Sequence, residues 1–175
     1  NFEYRNSIFK KELKNNFFVT EVTFILNKNK KFVLDYSELK NINKESLTIQ
    51  NVRDKIIEIR NSKLPNPKSL ANAGSFFKNP LIESKKLDEL LKKHPQLPYH
   101  KNKNELYKIP AAWLIEKMGF KQKSLGNVGV YINQPLVIVN NGNANGSDIL
   151  NFANSIKDSV KKEFNIELEE EVIII

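Results

Sequence analysis

The chain has 175 residues, a formal net charge of +8 and no cysteine, so it can bury a core without staples, and disulfides, thiolate nucleophiles and Cys-ligated metal centres are excluded. Its 28 basic residues include only three arginines, and the lysines lie in scattered pairs such as Lys30-Lys31 and Lys161-Lys162; with 24 asparagines this reads as a biased composition on solvated faces, not as a nucleic-acid surface rich in bidentate arginine. The longest apolar runs, residues 135–139 and 172–175, fall far short of the roughly 18–20 residues of a membrane span, and the amino end, without an apolar signal region, reads as the interior of a longer protein.

Residues 18–26 alternate as a strand, with Val22, Phe24 and Leu26 on one face, and residues 32–34 are a candidate partner across the 27–30 turn. Asp35-Tyr36-Ser37 opens a turn or short helix. From Thr48, a candidate N-cap, Ile49, Val52, Ile56 and Ile59 form one stripe of an amphipathic helix. Leu64-Pro65-Asn66-Pro67 stops that helix near Lys63, because each proline lacks an N–H and restricts the residue before it. This is the best internal boundary.

Beyond it, Ala73-Gly74-Ser75-Phe76-Phe77 reads as a turn leading into a short strand, and residues 84–93 as a helix with Leu87, Leu90 and Leu91 inward. A polar, proline-containing loop covers 94–104. Pro110 and Gly119 punctuate the start and end of a further helix. Residues 128–132 and 136–139 are strands; Ser147 then caps a long helix whose buried stripe is Ile149 or Leu150, Ala153, Ile156, Val160 and Phe164, and a final strand spans 166–175. Helices and strands interleave, which gives a mixed α/β class of α+β type.

No Gly-x-Gly-x-x-Gly or Walker loop exists among the six glycines, and His94 and His100 lack metal-ligand spacing. Glu167, Glu169 and Glu171 share one side of the last strand, a pattern that by itself fits a solvated edge. The segment Ala73-Gly74-Ser75-Phe76-Phe77-Lys78-Asn79-Pro80 differs in kind: a hydroxyl on a glycine turn stands beside a Lys-Asn pair suited to phosphate or amide groups.

Together with Tyr4-Arg5-Asn6-Ser7-Ile8-Phe9-Lys10, Leu34-Asp35-Tyr36-Ser37-Glu38-Leu39, Ser62-Lys63-Leu64-Pro65-Asn66-Pro67, Ala111-Ala112-Trp113-Leu114-Ile115 and Leu168-Glu169-Glu170-Glu171-Val172, this segment, extended by one residue to Asn72–Pro80, resembles the UDP-N-acetylenolpyruvoylglucosamine reductases (UDP-N-acetylmuramate dehydrogenases) of peptidoglycan synthesis, in order and at similar spacing along the whole chain. The resemblance implies a cytoplasmic flavoenzyme, monomeric when complete. In it FAD reduced by NADPH passes hydride to UDP-N-acetylglucosamine enolpyruvate. By match, Ser75 is the proton donor, and Arg5 and Glu171 stabilise the enolic intermediate. Tyr36, Lys63, Asn79 and Gln134 hold the UDP-sugar, with Tyr36 on a loop that folds over the substrate.

The resemblance also implies a partition. Residues 1–64 correspond to the tail of a flavin-binding domain, 65–165 to the substrate-binding domain, and 166–175 to a strand returning to the flavin side. The segment that cradles the flavin diphosphate in the family has no counterpart here, so the isolated chain is expected to lack FAD and activity. Two other readings stay open: an inactive UDP-sugar-binding remnant, and a basic nucleic-acid-binding module. Where the family has glycine after Lys121 this chain has Gln122, and where it commonly has histidine this chain has Tyr131.

Overall fold

The computed structural model of the chain describes residues 2, 3, 5–29, 31–35, 37–42, 47–102 and 104–175. It divides into two compact units, Asn1–Leu47 and Thr48–Ile175. In the first, strands β1 (Phe2–Glu3) and β2 (Asn6–Ser7) pair antiparallel in the register Phe2↔Ser7 and Glu3↔Asn6. Arg5 stands in their connection at φ 53, the left-handed region. Short 3-10 helices follow at Ile8–Lys10 and Ser37–Asn41.

The expected strand at 18–26 and its partner at 32–34 do not form. Phe18 is 97% and Ile25 100% exposed. Alternation marks a segment able to half-bury one face, but a strand exists only where a neighbour accepts its N–H groups, and none does among the described residues.

The second unit opens with α1 (Ile49–Lys63). Thr48 is its cap as expected, its hydroxyl accepting from the Asn51 N–H at 3.0 Å. The helix ends where the prolines require, but of the predicted stripe only Ile59 is buried, and Ile49 is 59% exposed. By contact this helix belongs with the second compact unit.

Four strands make an antiparallel sheet in the order β3 (Ala71–Ser75), β9 (Val137–Asn140), β8 (Val128–Val130), β7 (Ser124–Leu125). Helix α4 (Gly146–Phe164) packs on β8 and β9 and against α3 (Ala111–Lys117). Its stripe is the predicted one: Ala153, Ile156, Val160 and Phe164 are buried, joined by Phe152. With Leu87 and Leu90 of α2 (Ser84–Lys93) and the α3 residues Leu114 and Ile115, they form one core. Each fully buried aliphatic or aromatic side chain there contributes about 1.5–3 kcal/mol. A second antiparallel sheet, in the order β4 (Leu81–Ile82), β6 (Tyr107–Lys108), β5 (His100–Lys101), carries no period long enough to be read from sequence. All pairings are antiparallel, which places the architecture in the α+β type.

Three local readings need correction. The 73–77 segment is not a turn that leads into a strand: the strand is Ala71–Ser75, with a distortion between Asn72 and Ser75, and Phe77 beyond it makes an isolated bridge. The cap of α4 is Asn145, not Ser147: its side-chain oxygen accepts from the Asp148 N–H at 3.0 Å while Asp148 accepts from the Asn145 N–H at 2.9 Å, a reciprocal capping box. Among the described residues, 166–175 form no regular strand and make one β-bridge, Phe77↔Glu170. Up to Leu168 they do alternate, Ile166 and Leu168 inward and Glu167 and Glu169 outward, but Glu171 is half-buried.

Gln122 adopts φ 62, the left-handed region that glycine occupies without penalty. The glycine expected there by resemblance therefore has a backbone reason, and glutamine brings strain of roughly 1 kcal/mol. Gln122→Gly is expected to stabilise the unit by about 0.5–1 kcal/mol in urea titration, the relief being partly offset by a freer unfolded chain. Asn145→Ala is expected to destabilise it by about 1 kcal/mol, and Ser147→Ala by a few tenths at most; the reverse order would return the cap to Ser147.

The Glu170 carboxylate lies 2.6 Å from the Lys157 ammonium. Partial burial acts to raise its pKa but is outweighed by the Lys157 hydrogen bond and by the charges of Lys157 and Lys78, which hold it below the usual carboxylate range. Because the folded pKa is the lower one, this contribution is complete above the unfolded value near ~4.3 and disappears as pH falls through the folded value. Glu170→Gln is expected to lower stability by about 1 kcal/mol at pH 7, a difference that closes in acid. Urea titrations from pH 7 to pH 2 measure it.

Candidate functional site

The site is built around the end of β3. Strand β3 runs against β9 with Asn72 opposite Val139 and Ser75 opposite Val137, so three steps along β3 match two along β9. One extra residue is thus accommodated as a β-bulge, and Gly74 absorbs it at φ 72. The Asn72 side chain accepts from the Gly74 N–H at 2.9 Å and donates to the Leu70 carbonyl at 2.8 Å. Its amide also reaches the Pro65 carbonyl at 3.5 Å. Ser75 leaves the bulge half-buried, and no side-chain hydrogen bond among the described residues engages its hydroxyl.

The next residue ties three segments together. The Phe76 N–H donates to the Leu136 carbonyl at 2.7 Å, and its carbonyl accepts from the Glu171 N–H at 2.8 Å. Leu136 belongs to the β8–β9 connection, where the Gln134 N–H donates to the Tyr131 carbonyl and the Val137 N–H to the Gln134 carbonyl. The Gln134 side chain accepts from the Leu136 N–H at 3.5 Å. Asn133 in the same connection donates to the Ser62 carbonyl at 3.1 Å, one residue before Lys63 at the end of α1. Ser75, Gln134, Glu171 and Lys63 therefore stand on four segments joined by direct hydrogen bonds.

Asn79 is placed otherwise. Its side-chain oxygen accepts from the Ala111 N–H at 2.9 Å, satisfying an orphan donor at the start of α3, where Pro110 offers no capping side chain. Lys78, between these residues, pairs with Glu169, and its N–H donates to the Glu169 carbonyl at 2.8 Å. Arg5 stands on the other compact unit. Tyr36 lies outside the described residues.

An open cleft of about 640 Å3 adjoins the bulge, lined by Arg60, Asn61, Leu64, the 65–67 segment, Asn72, Ala73 and Gly74. A side chain on Gly74 would meet nothing within 4 Å, so the backbone there faces open space. Sequence reasoning did not single out Arg60, and took in Asn72 only as the first residue of the Asn72–Pro80 segment, without a role. The rarity of arginine in this chain was a usable signal for the first, and the Asn-x-Gly spacing, which lets an asparagine oxygen receive an N–H two residues on, for the second. Among the described residues no group of acidic or histidine side chains can hold a metal ion, and no helix is long and apolar enough to cross a membrane.

The family profile of the UDP-N-acetylenolpyruvoylglucosamine reductase C-terminal domain matches residues 66–175. A UDP-N-acetylenolpyruvoylglucosamine reductase of Flavobacterium johnsoniae is 43% identical over 100% of this chain and 53% of its own length. Those of Amoebophilus asiaticus and Buchnera aphidicola are each 44% identical, over 99% and 98% of this chain and 52% and 50% of their own lengths. The chain spans about half the length of the curated relatives it matches. A domain match over most of the chain, and end-to-end identity with proteins of one name, establish that the chain belongs to the UDP-N-acetylenolpyruvoylglucosamine reductase family and contains its C-terminal domain.

Proposed function

We propose that the chain is the substrate-holding part of an NADPH-dependent UDP-N-acetylmuramate dehydrogenase, which reduces UDP-N-acetylglucosamine enolpyruvate for peptidoglycan synthesis and works within a longer protein. The observation that supports this reading is the position of Ser75, next to Gly74 of an open cleft at the end of a bulge and followed by Phe76, whose backbone bonds to the Gln134 and Glu171 segments. If FAD lies against that cleft, Arg60 and the Gly74 backbone are the groups of this chain that would meet it. Arg60 would offer a cation and the uncovered Gly74 backbone a close approach for a flat ring. When bound, FAD supplies the hydride that originates on NADPH.

The remaining chemistry falls to this chain's residues. Hydride addition at C3 of the enolpyruvyl group leaves an electron pair at C2, delocalised into the neighbouring carboxylate. Ser75 donates its proton to C2, closing the new C–H bond, and its alkoxide recovers a proton from water. Arg5 grips the carboxylate with its planar fork. Glu171, with its backbone one hydrogen bond from the residue after Ser75, acts beside it on the enolic form. Lys63 neutralises the diphosphate, and Gln134 and Asn79 position the sugar nucleotide, with Tyr36 closing over it. Residues 1–64 contribute to the flavin side in this reading, and 65–165 form the substrate domain.

A nucleic-acid-binding module is the less favoured reading, because only three of the 28 basic residues are arginine and several lysines pair with glutamates, as in Lys161–Glu167, Lys121–Glu116 and Lys101–Glu105.

In a complete enzyme carrying this chain, Ser75→Ala is expected to leave flavin reduction by NADPH unchanged and to slow flavin reoxidation by substrate on the order of 10²–10⁴-fold. Ser75→Cys should be milder, since a thiol donates from nearly the same place. Lys63→Ala should act mainly on substrate affinity, because diphosphate contacts are alike in ground and transition states. Rapid mixing separates the two half-reactions, and equal slowing of both by Ser75→Ala would return Ser75 to a turn residue. UDP-sugar binding with no reoxidation in the parent enzyme identifies an inactive remnant. The isolated chain is expected to bind the UDP-sugar weakly by calorimetry and to oxidise NADPH only when the half of the relatives it does not span is supplied.

A further inference from the structure

We propose that Asn72 is the positioning residue for the Ser75 proton donor, acting through the bulge in β3; this rests on the role proposed for Ser75. Opposed residues of an antiparallel pair project to the same face of the sheet, and side chains alternate along each strand. Val139 and Val137 are two apart on β9 and share a face; Asn72 and Ser75 stand opposite them, so they share that face although three apart in sequence. In a regular strand, residues three apart lie on opposite faces. If the same residues ran on as a regular strand without the bulge, Ser75 would fall opposite residue 136 and its side chain would lie on the other side of the sheet.

The bulge has one side-chain support within its own strand. Asn72 accepts the Gly74 N–H at 2.9 Å, a donor that the interrupted ladder leaves without a β9 acceptor, while its amide group is held by the Leu70 carbonyl at 2.8 Å. The same amide reaches the Pro65 carbonyl at 3.5 Å, two residues after Lys63. One half-buried side chain therefore fixes the extra residue of the bulge and connects it to the segment that carries the diphosphate-binding lysine. Gly74 at φ 72 permits the bend, but a glycine permits many others; the asparagine oxygen selects this one.

The distinguishing prediction is that the acceptor oxygen matters more than the amide group. Asn72→Asp keeps that oxygen and loses the donors, whereas Asn72→Ala loses both. In the chain itself, hydrogen exchange of the Gly74 amide followed by NMR is expected to quicken at least about tenfold in Asn72→Ala and to stay within about threefold of the parent in Asn72→Asp. In a complete enzyme, Asn72→Ala is expected to slow substrate-driven flavin reoxidation about 10–10²-fold, as a misplacement near 1 Å does, with the UDP-sugar Kd changed less than about threefold and reduction by NADPH unchanged. Asn72→Asp should recover the rate to within about fivefold of the parent. In a Ser75→Ala background Asn72→Ala should add little, because a positioning residue has nothing left to position.

Additive slowing in that background overturns the proposal, as does a parental rate for Asn72→Ala beside a slow Ser75→Ala. A parental rate for Ser75→Ala removes the proposed donor itself and this inference with it, while a slow Ser75→Ala leaves the functional reading standing whatever Asn72 does. If Asn72→Ala does not fold, Asn72→Asp decides alone: a well-folded Asp variant with a loss of 10²-fold or with an unprotected Gly74 amide overturns the role of the acceptor oxygen.

Discussion

Two hydrogen bonds made by the backbone of a single residue hold the site together. The Phe76 N–H reaches the Leu136 carbonyl at 2.7 Å, and the Phe76 carbonyl receives the Glu171 N–H at 2.8 Å. Its ring meanwhile is buried in the core and stands edge-on to Phe77 at 5.1 Å. Backbone groups this deep must be paired, since leaving one unsatisfied costs about 1–3 kcal/mol. Geometry then does the rest: Ser75 precedes Phe76, Gln134 precedes Leu136 by two, and Glu171 is itself one partner. Anchoring one aromatic residue sets the backbone of three segments separated by dozens of residues of chain.

The placement of chemistry follows from that anchor in layers of decreasing rigidity. Deepest are the Phe76–Phe77 pair and the α3–α4 core, where side chains are fully buried. Next is the irregular ladder around them: the bulge at Gly74, and the Phe77↔Glu170 bridge with the Lys78 N–H bonded to the Glu169 carbonyl. Outermost are long polar side chains such as Lys63 and Arg60 at the carboxyl end of α1. Under the proposed roles, a proton donor at Ser75 needs placement to a fraction of an ångström, whereas a cation serving a diphosphate tolerates more.

The four helices were legible because their ends carry their own punctuation. Thr48 and the Pro65–Pro67 segment bracket α1, and the 3.6-residue stripe of α4 was read correctly from Ala153 to Phe164. Asn145 was missed in favour of Ser147 because both are good caps, and only the reciprocal bond with Asp148 distinguishes them. The alternation of 18–26 was misjudged for a different reason: a strand is a property of a pair, and periodicity describes one member. Two-residue strands such as β4 and β7 leave no period to read. Within the candidate site, Ser75 was singled out by the motif around it. The bulge was not, since it exists only in the register of β3 against β9, and neither was the Asn79 bond to Ala111, whose partner lies 32 residues away.

Asparagine shows how far composition can mislead about individual positions. Twenty-four asparagines read as a bias in residue usage, and many do lie exposed. Yet Asn72 braces the bulge, Asn133 ties the β8–β9 connection to the end of α1, Asn140 bonds both sides of the turn into α4, Asn145 caps that helix, and Asn165 closes it in the left-handed region. Each of these places needs a short side chain that can accept and donate at once or tolerate positive φ, which is what the carboxamide on one methylene supplies. An alanine at any of them leaves a backbone N–H or carbonyl without its partner or forfeits the turn. The same residue at an exposed site can be exchanged within about 0.5 kcal/mol. The bias in composition and the specificity of the site are therefore compatible: a chain rich in asparagine has solved several backbone problems with the one residue it has in excess, and only the hydrogen-bond partners separate those positions from the rest.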